Sequence, residues 1–184
     1  MEKIEWTYYT KNRIIKSDSK DSSNKIEKHL ETVIDAFNKK LKKFASTLGY
    51  HYHSDEVLKI IGKIDGYKIE KSKLENDLIK LLDYEKEKYY DKYSKLFCVD
   101  AINEKDKTIL EIEAGRAYDN NQFLKDFFEA YVSSKIDYLI IAVRKIYGIN
   151  NRKDYEYVNR YFDVLYHSKY KQNVPLKGIL IIGY

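Results

Sequence analysis

Two uninterrupted apolar runs late in the chain, residues 137–143 (Asp-Tyr-Leu-Ile-Ile-Ala-Val) and 178–184 (Gly-Ile-Leu-Ile-Ile-Gly-Tyr), constrain the fold more than any other feature. Successive side chains of a strand point to opposite sides, so a strand with one wet face alternates apolar and polar residues. A run that is apolar at nearly every position needs cover on both faces, which places it inside a sheet with helices above and below. The stretch between the runs, residues 154–167, is amphipathic at helical spacing. Strand, helix, strand is the expected order here.

The two-residue period carries charge at residues 108–114, Thr-Ile-Leu-Glu-Ile-Glu-Ala. Leu110, Ile112 and Ala114 go to one face, and Ile109, Glu111 and Glu113 to the other. Like charges about 7 Å apart on one face repel unless water, a cation or a base screens them. Residues 96–101 read as a short buried strand carrying Asp100 near its end, and 103–107 as a polar hairpin turn. Three acids thus meet on one hairpin. Hard cations such as Mg²⁺ take carboxylate oxygens at about 2.1 Å and keep waters that can be deprotonated. On that chemistry Asp100 and Glu111 are expected metal ligands, the Ile112 carbonyl completes the protein shell, and Glu113 takes the proton of an attacking water. On spacing alone, a hairpin whose outer face is merely solvated remains the alternative.

The first half reads as helices. Residues 1–20 alternate bulky and polar positions, as a strand or irregular arm would, and lead into a Ser- and Asp-rich turn. Residues 24–48 form the clearest helix, with Asn24 and Glu27 as a capping box and Ile26, Leu30, Val33, Ile34, Phe37, Leu41 and Phe44 as its apolar stripe. Shorter helices are expected over 55–64 and from Ser72 to about Tyr93. Residues 120–133 fit a helix with Phe123, Leu124, Phe127, Phe128 and Val132 inward and Lys125 on the surface.

Composition bounds the possibilities. A chain of 184 residues with 43% hydrophobic residues, one proline and seven glycines suits one domain with a real core. The expected division is an N-terminal arm over 1–23, a helical part over 24–95 and an α/β core over 96–184. No run approaches the roughly 18 apolar residues of a membrane span, and the start is not a signal sequence, so no membrane partner and a cytoplasmic location are expected. Cys98 stands alone, in an apolar context that suggests a buried strand residue. The histidines offer no zinc-like pairing beyond His51 and His53. The net charge of +5 is concentrated early, where residues 1–50 hold eleven Lys or Arg against seven Asp or Glu. A basic end can meet phosphates, although a solvated lysine-rich helix explains it as simply.

The order helix, Asp100 on a strand, Glu111-x-Glu113 on the next, then a helix and a buried strand, resembles the PD-(D/E)XK nuclease superfamily. Glutamate stands at 113 where most members have lysine, which resembles the BamHI and BglII branch of type II restriction endonucleases. Three stretches, Glu111-Ile-Glu-Ala-Gly-Arg-Ala117, Asn120-Asn-Gln-Phe-Leu-Lys-Asp126 and Leu176-Lys-Gly-Ile-Leu-Ile-Ile-Gly-Tyr184, also resemble restriction-endonuclease-like bacterial proteins of unassigned function. The resemblance implies a restriction-endonuclease-like α/β sandwich, with a mixed central sheet flanked by helices and N-terminal helices preceding the core. It further implies a Mg²⁺-dependent DNA endonuclease, with Mn²⁺ as substitute, acting as a homodimer on double-stranded DNA. Asp100 and Glu111 would bind metal and Glu113 would stand at the water-activating position. By the same likeness Glu27 or Glu31 on the first helix would add an acid, the alternative being a cap residue and an exposed acid; from the residues themselves, Arg116 after the Gly115 turn is a candidate phosphate contact or else a surface arginine on a structural turn, and Lys125 is a second candidate. The other expectation is a nuclease-fold protein that binds nucleic acid or a protein partner without cutting.

Overall fold

The two apolar runs lie side by side as parallel strands, buried along almost their whole length. In the computed structural model, which describes residues 4–19, 25–44, 54–69, 99–115, 117–146 and 152–184, they belong to a six-stranded sheet. In chain order the elements are β1 Glu5–Tyr9, β2 Ile14–Lys16, α1 Lys28–Phe44, α2 Ser54–Ile61, β3 Ala101–Asn103 and β4 Thr108–Glu113. Then follow α3 Ala117–Asn120, α4 Gln122–Val132, β5 Tyr138–Val143, α5 Asp154–His167, a 3-10 turn over Lys169–Asn173, and β6 Gly178–Gly183. Across the sheet the order is β2-β1-β6-β5-β4-β3. The three central strands β6, β5 and β4 are parallel, and the flanking pairings are antiparallel.

Parallel neighbours need a crossover, which α4 supplies between β4 and β5 and α5 between β5 and β6. Alternation along the strands then splits the core in two. Ile109, Leu139, Ile141, Ile179 and Ile181 pack with Phe123 of α4 and Val158 and Phe162 of α5. On the opposite face Leu110, Ile112, Ile140, Ala142, Leu180 and Ile182 pack with Leu30, Val33, Ile34 and Phe37 of α1 and with α2. The result is a mixed α/β layered architecture whose later half runs β-β-α-β-α-β, as expected. No described helix is long and apolar enough to cross a membrane.

Several expectations change. The first residues are not a separate arm: β1 and β2 are part of the sheet, with β1 paired to β6 on one side and β2 on the other. Strands therefore precede the helices, and Tyr8 and Tyr9 are fully buried because they pack into the cores on the two faces of the sheet. Val99 and Asp100 stand outside the hairpin strand, which runs over Ala101–Asn103, because at the next rung an aspartate side chain takes the place of backbone, as described below. Helix α1 starts at Lys28, where the Glu27 carbonyl accepts from the amides of Leu30 and Glu31. The helix expected over 55–64 ends at Ile61 and unwinds into a turn at Gly66, whose φ of +85° suits glycine. The Asn24 cap, the helix from Ser72, the start of the strand at 96–98 with Cys98, His51, His53 and Arg116 lie outside the described residues.

The helix expected over 120–133 is broken and rotated. Asn121 has φ 49° and separates α3 from α4, with its side-chain carbonyl accepting from the Tyr157 hydroxyl at 2.7 Å. Phe123 is buried, but Leu124 and Phe128 face solvent, Phe128 being 55% exposed. Asp126 and Glu129 are buried in their stead.

Candidate functional site

Glu111 and Glu113 share the face of β4 that carries Ile109, as the alternation requires, and both are buried. A merely solvated hairpin face is thereby excluded. The sheet has a second layer above this face, and α4 covers it.

Asp100 is held against β4 by its own side chain. Leu110 pairs with Ala101, and one step on, the Ile112 amide donates to Asp100 Oδ2 at 2.9 Å instead of to a backbone carbonyl. The N–H and C=O of one residue point to the same side of a strand, so the Ile112 carbonyl lies on that edge too. The carboxylate is thus fixed beside Glu111, whose charge it opposes.

The third side of the site comes from α4. Asp126, 2% exposed, lies in the field of Glu113, Glu129 and Asp100. Glu129, 1% exposed, is ion-paired to Lys125 one turn back at 2.9 Å. Five carboxylates, Asp100, Glu111, Glu113, Asp126 and Glu129, therefore share one region of low solvent access. Burial raises the Glu111 pKa well above the ordinary carboxylate value, and Asp126, Asp100 and Glu129 add to the rise while Lys125 opposes it. Burial likewise lifts Asp126 to about 9, with Glu113, Glu129 and Asp100 reinforcing the rise against Lys125. Glu129 rises to about 7 through burial, tempered by its bond to Lys125. For Lys125 burial works against the charge, but the pairing with Glu129 and the fields of Asp126 and Glu111 outweigh it and raise its pKa.

A further cation borders the cluster. Buried Arg144, directly after β5, lies near the Tyr184 hydroxyl, and Tyr184 also feels Glu113 and Asp100. The turn leaving β4 passes through Gly115 at φ 122°, and Arg152 donates to its carbonyl at 3.3 Å. Sequence reasoning named Asp100, Glu111, Glu113 and Lys125, which the fold does bring together. It missed Asp126, Glu129 and Arg144. Their signal was faint: Lys125, Asp126 and Glu129 are a narrow polar arc on a helix otherwise apolar around most of its circumference.

Glu27 and Glu31 are not part of this site. Helix α1 packs on the opposite face of the sheet, where Glu27 lies near Tyr8 and near Tyr138 at the start of β5. Glu113 pairs with Val143 at the other end of that strand. Glu31 is exposed. A helix cannot deliver acids through a buried sheet.

Among the described residues, no group of three or more His, Cys, Asp and Glu side chains stands ready to hold a metal ion. The donor set is nonetheless of the hard-cation kind: carboxylates only, with Glu111 Oε1 and Asp126 Oδ2 buried and without a hydrogen-bond partner among the described residues. No protein-family model, no curated protein and no solved structure matches this chain.

Proposed function

We propose that the chain is a restriction-endonuclease-like, metal-dependent endodeoxyribonuclease that hydrolyses phosphodiester bonds of double-stranded DNA with Mg²⁺, or with Mn²⁺ in its place. The observation that supports this best is the pair of buried glutamates on β4 with Asp100 pinned beside them by the Ile112 amide. Burying like charges is unfavourable, and packing at this position would be better served by apolar residues. The β-β-α-β-α-β order of the second half is consistent with the same reading.

When bound, a divalent cation supplies Lewis acidity toward the scissile phosphate and lowers the pKa of water. Asp100 and Glu111 are the residues to hold it, with the Ile112 carbonyl on the same strand edge. Glu113, further along the same face, accepts the proton of the attacking water. Lys125, half exposed beside the acids, is placed to meet a phosphate oxygen of the substrate. Cutting both strands of a duplex at a symmetric sequence calls for a homodimer with two such sites.

A second reading is favoured by one observation: no group of three ligating side chains is preformed among the described residues. It is a nuclease-fold protein that binds nucleic acid or a protein partner without cutting it. Incubation of plasmid and phage DNA with wild type and Glu113→Ala, in Mg²⁺, Mn²⁺ or EDTA, separates the two. Metal-dependent cutting by wild type alone supports the nuclease; equal inertness across many sequences leaves the binding protein.

A further inference from the structure

The two crossover helices α4 and α5 lie on one face of the sheet and run in the same direction, since each carries the chain back from the end of one parallel strand to the start of the next. Aromatic rings join them. Phe123 meets Tyr161 at 5.1 Å between ring centroids, and Phe127 meets Phe162 at 5.5 Å. With that seam turned inward, apolar residues are left on the outside. Leu124, Phe128 and Tyr131 of α4 are spaced i, i+4, i+7, and Tyr157, Tyr161 and Val164 of α5 repeat the spacing. All of these except the half-buried Tyr157 are more than a third exposed, and Val164 is 74% exposed.

Apolar residues exposed one at a time need no explanation, but two parallel stripes flanking one aromatic seam form a patch. At roughly 200 Å² for a whole side chain of this size, the exposed fractions come to roughly 400–500 Å², the range in which a patch on a single chain marks an interaction site. The stripes contain no lysine or arginine, so a nucleic-acid backbone gains nothing by lying on them. Charges stand beside them instead: Lys125, paired with Glu129, on α4, and the exposed Arg160 with the Lys153–Glu156 pair on α5. An apolar centre inside a rim of both signs is the layout of a protein interface. The occupant that matches it is a second copy. A two-fold rotation lays the twin stripes of one chain over those of another, and removes roughly 800–1,000 Å² of apolar surface before the rim is counted, close to the lower bound of about 1,200 Å² for a specific complex.

We propose that the outer faces of α4 and α5 are the surface through which two copies of this chain associate, with two helices from each copy closing a four-helix interface. Phe128 and Val164 are its central anchors, being the most exposed apolar residues of the two stripes. The inference deepens the homodimer of the proposed function by naming the face that makes it, and rests on that reading for the number of copies alone; metal and cleavage have no part in it.

The test is sedimentation equilibrium of the full chain over a dilution series. Wild type is compared with Phe128→Asp, Val164→Asp and, as a control, Lys63→Glu, an exposed position just after α2 on the other side of the sheet. Wild type and the control are expected to be dimers that dissociate on dilution. Each aspartate is expected to raise the dissociation constant about a hundredfold or more, because a substitution in a two-fold interface acts in both copies. In the dissociated chain both positions face solvent, so the dilute variants should keep the wild-type circular dichroism and unfolding midpoint, which shows that they fold. A wild type that stays monomeric at every concentration overturns the inference and leaves the face to a different partner or to residues 70–98 of the same chain. A dimer that survives both aspartates overturns it in favour of another face. Dimers that cut no DNA count against the nuclease reading alone, and metal-dependent cutting by a monomer counts against the inference alone.

Discussion

The Asp100 carboxylate accepts a hydrogen bond from the Ile112 amide at 2.9 Å, one rung beyond the last backbone pair of the β3–β4 hairpin. The bond has two consequences that substitution can separate. Asn at this position keeps an oxygen acceptor and loses the charge; Ala loses both and strands an amide. Asp100→Ala is expected to be less stable than Asp100→Asn by about 1–2 kcal/mol in urea unfolding, the cost of an unmade hydrogen bond at a partly buried group. Both variants should lose metal-dependent cleavage. Equal stability of the two would mean that the bond does not hold the strand.

The buried acids of α4 tie stability to pH. Asp126 and Glu129 have folded-state values raised to about 9 and about 7, whereas the unfolded chain titrates them near the ordinary carboxylate range. Between those limits the folded state binds more protons than the unfolded one, so stability falls as pH rises. Ion-free protein should therefore melt at a lower temperature at pH 8.5 than at pH 5.5, and Asp126→Asn should flatten that slope. Mg²⁺ should recover part of the loss at the alkaline end by taking the place of the protons. A wild-type melting temperature that rises over this range in the absence of divalent ions would contradict the burial of these groups.

Glu111 and Glu113 are given different tasks, and kinetics can tell them apart. Glu113→Gln should leave Mn²⁺ affinity near wild type while lowering the cleavage rate about 10²–10⁴-fold, the usual span for losing a general base. Glu111→Gln should lose both. Should Glu113→Gln cut DNA at the wild-type rate, the proton acceptor is another group.

The rotation of α4 is measurable without any substrate. Phe123 is fully buried against Phe162 and Tyr161, while Phe128 projects into solvent. Phe123→Ala should cost about 3–5 kcal/mol in chemical denaturation, and Phe128→Ala no more than about 0.5 kcal/mol. Comparable losses would place both inward, as the hydrophobic pattern suggests.

Gly178 opens β6 beneath the ring of Tyr8, and a Cβ there would come within 2.3 Å of the Tyr8 hydroxyl oxygen. Tyr8 is fully buried and cannot swing away. Gly178→Ala should destabilise by about 1–3 kcal/mol, as overpacking does, and Tyr8→Phe in the same chain should relieve part of it. An unchanged unfolding midpoint for Gly178→Ala would show that β1 is not seated on β6.

The elements that were legible are those in which one period dominates. Residues 154–167 carry a single amphipathic stripe, and α5 has those limits. The charges of β4 fall on alternate positions, so Glu111 and Glu113 could be assigned to one face before their burial was known. Helix α4 defeats the same approach because Phe123, Leu124, Phe127, Phe128, Ala130, Tyr131 and Val132 leave no unique apolar side. Its rotation turns Asp126 and Glu129 toward the preceding strand β4, and periodicity within the helix carries no information about that. Membership of β1 in the sheet was equally hidden, since its partner β6 lies at the other end of the sequence. Glu27 was misplaced for the converse reason: helical position predicts which face of α1 it occupies, not which face of the sheet α1 covers.

The pairing of Glu5 with Gly183 has a consequence for how the molecule is made. A ribosome releases β1 and β2 first, but β1 finds its central neighbour only when β6 has emerged. Until then the β1–β2 hairpin has one of its two ladders and presents an unpaired edge bearing Trp6 and Tyr8. Contacts so remote in sequence are slow to form because the intervening chain must be closed into a loop first. Sheet completion is therefore the expected late event of biogenesis, and the interval before it is when a nascent chain of this design is most open to strand-mediated association.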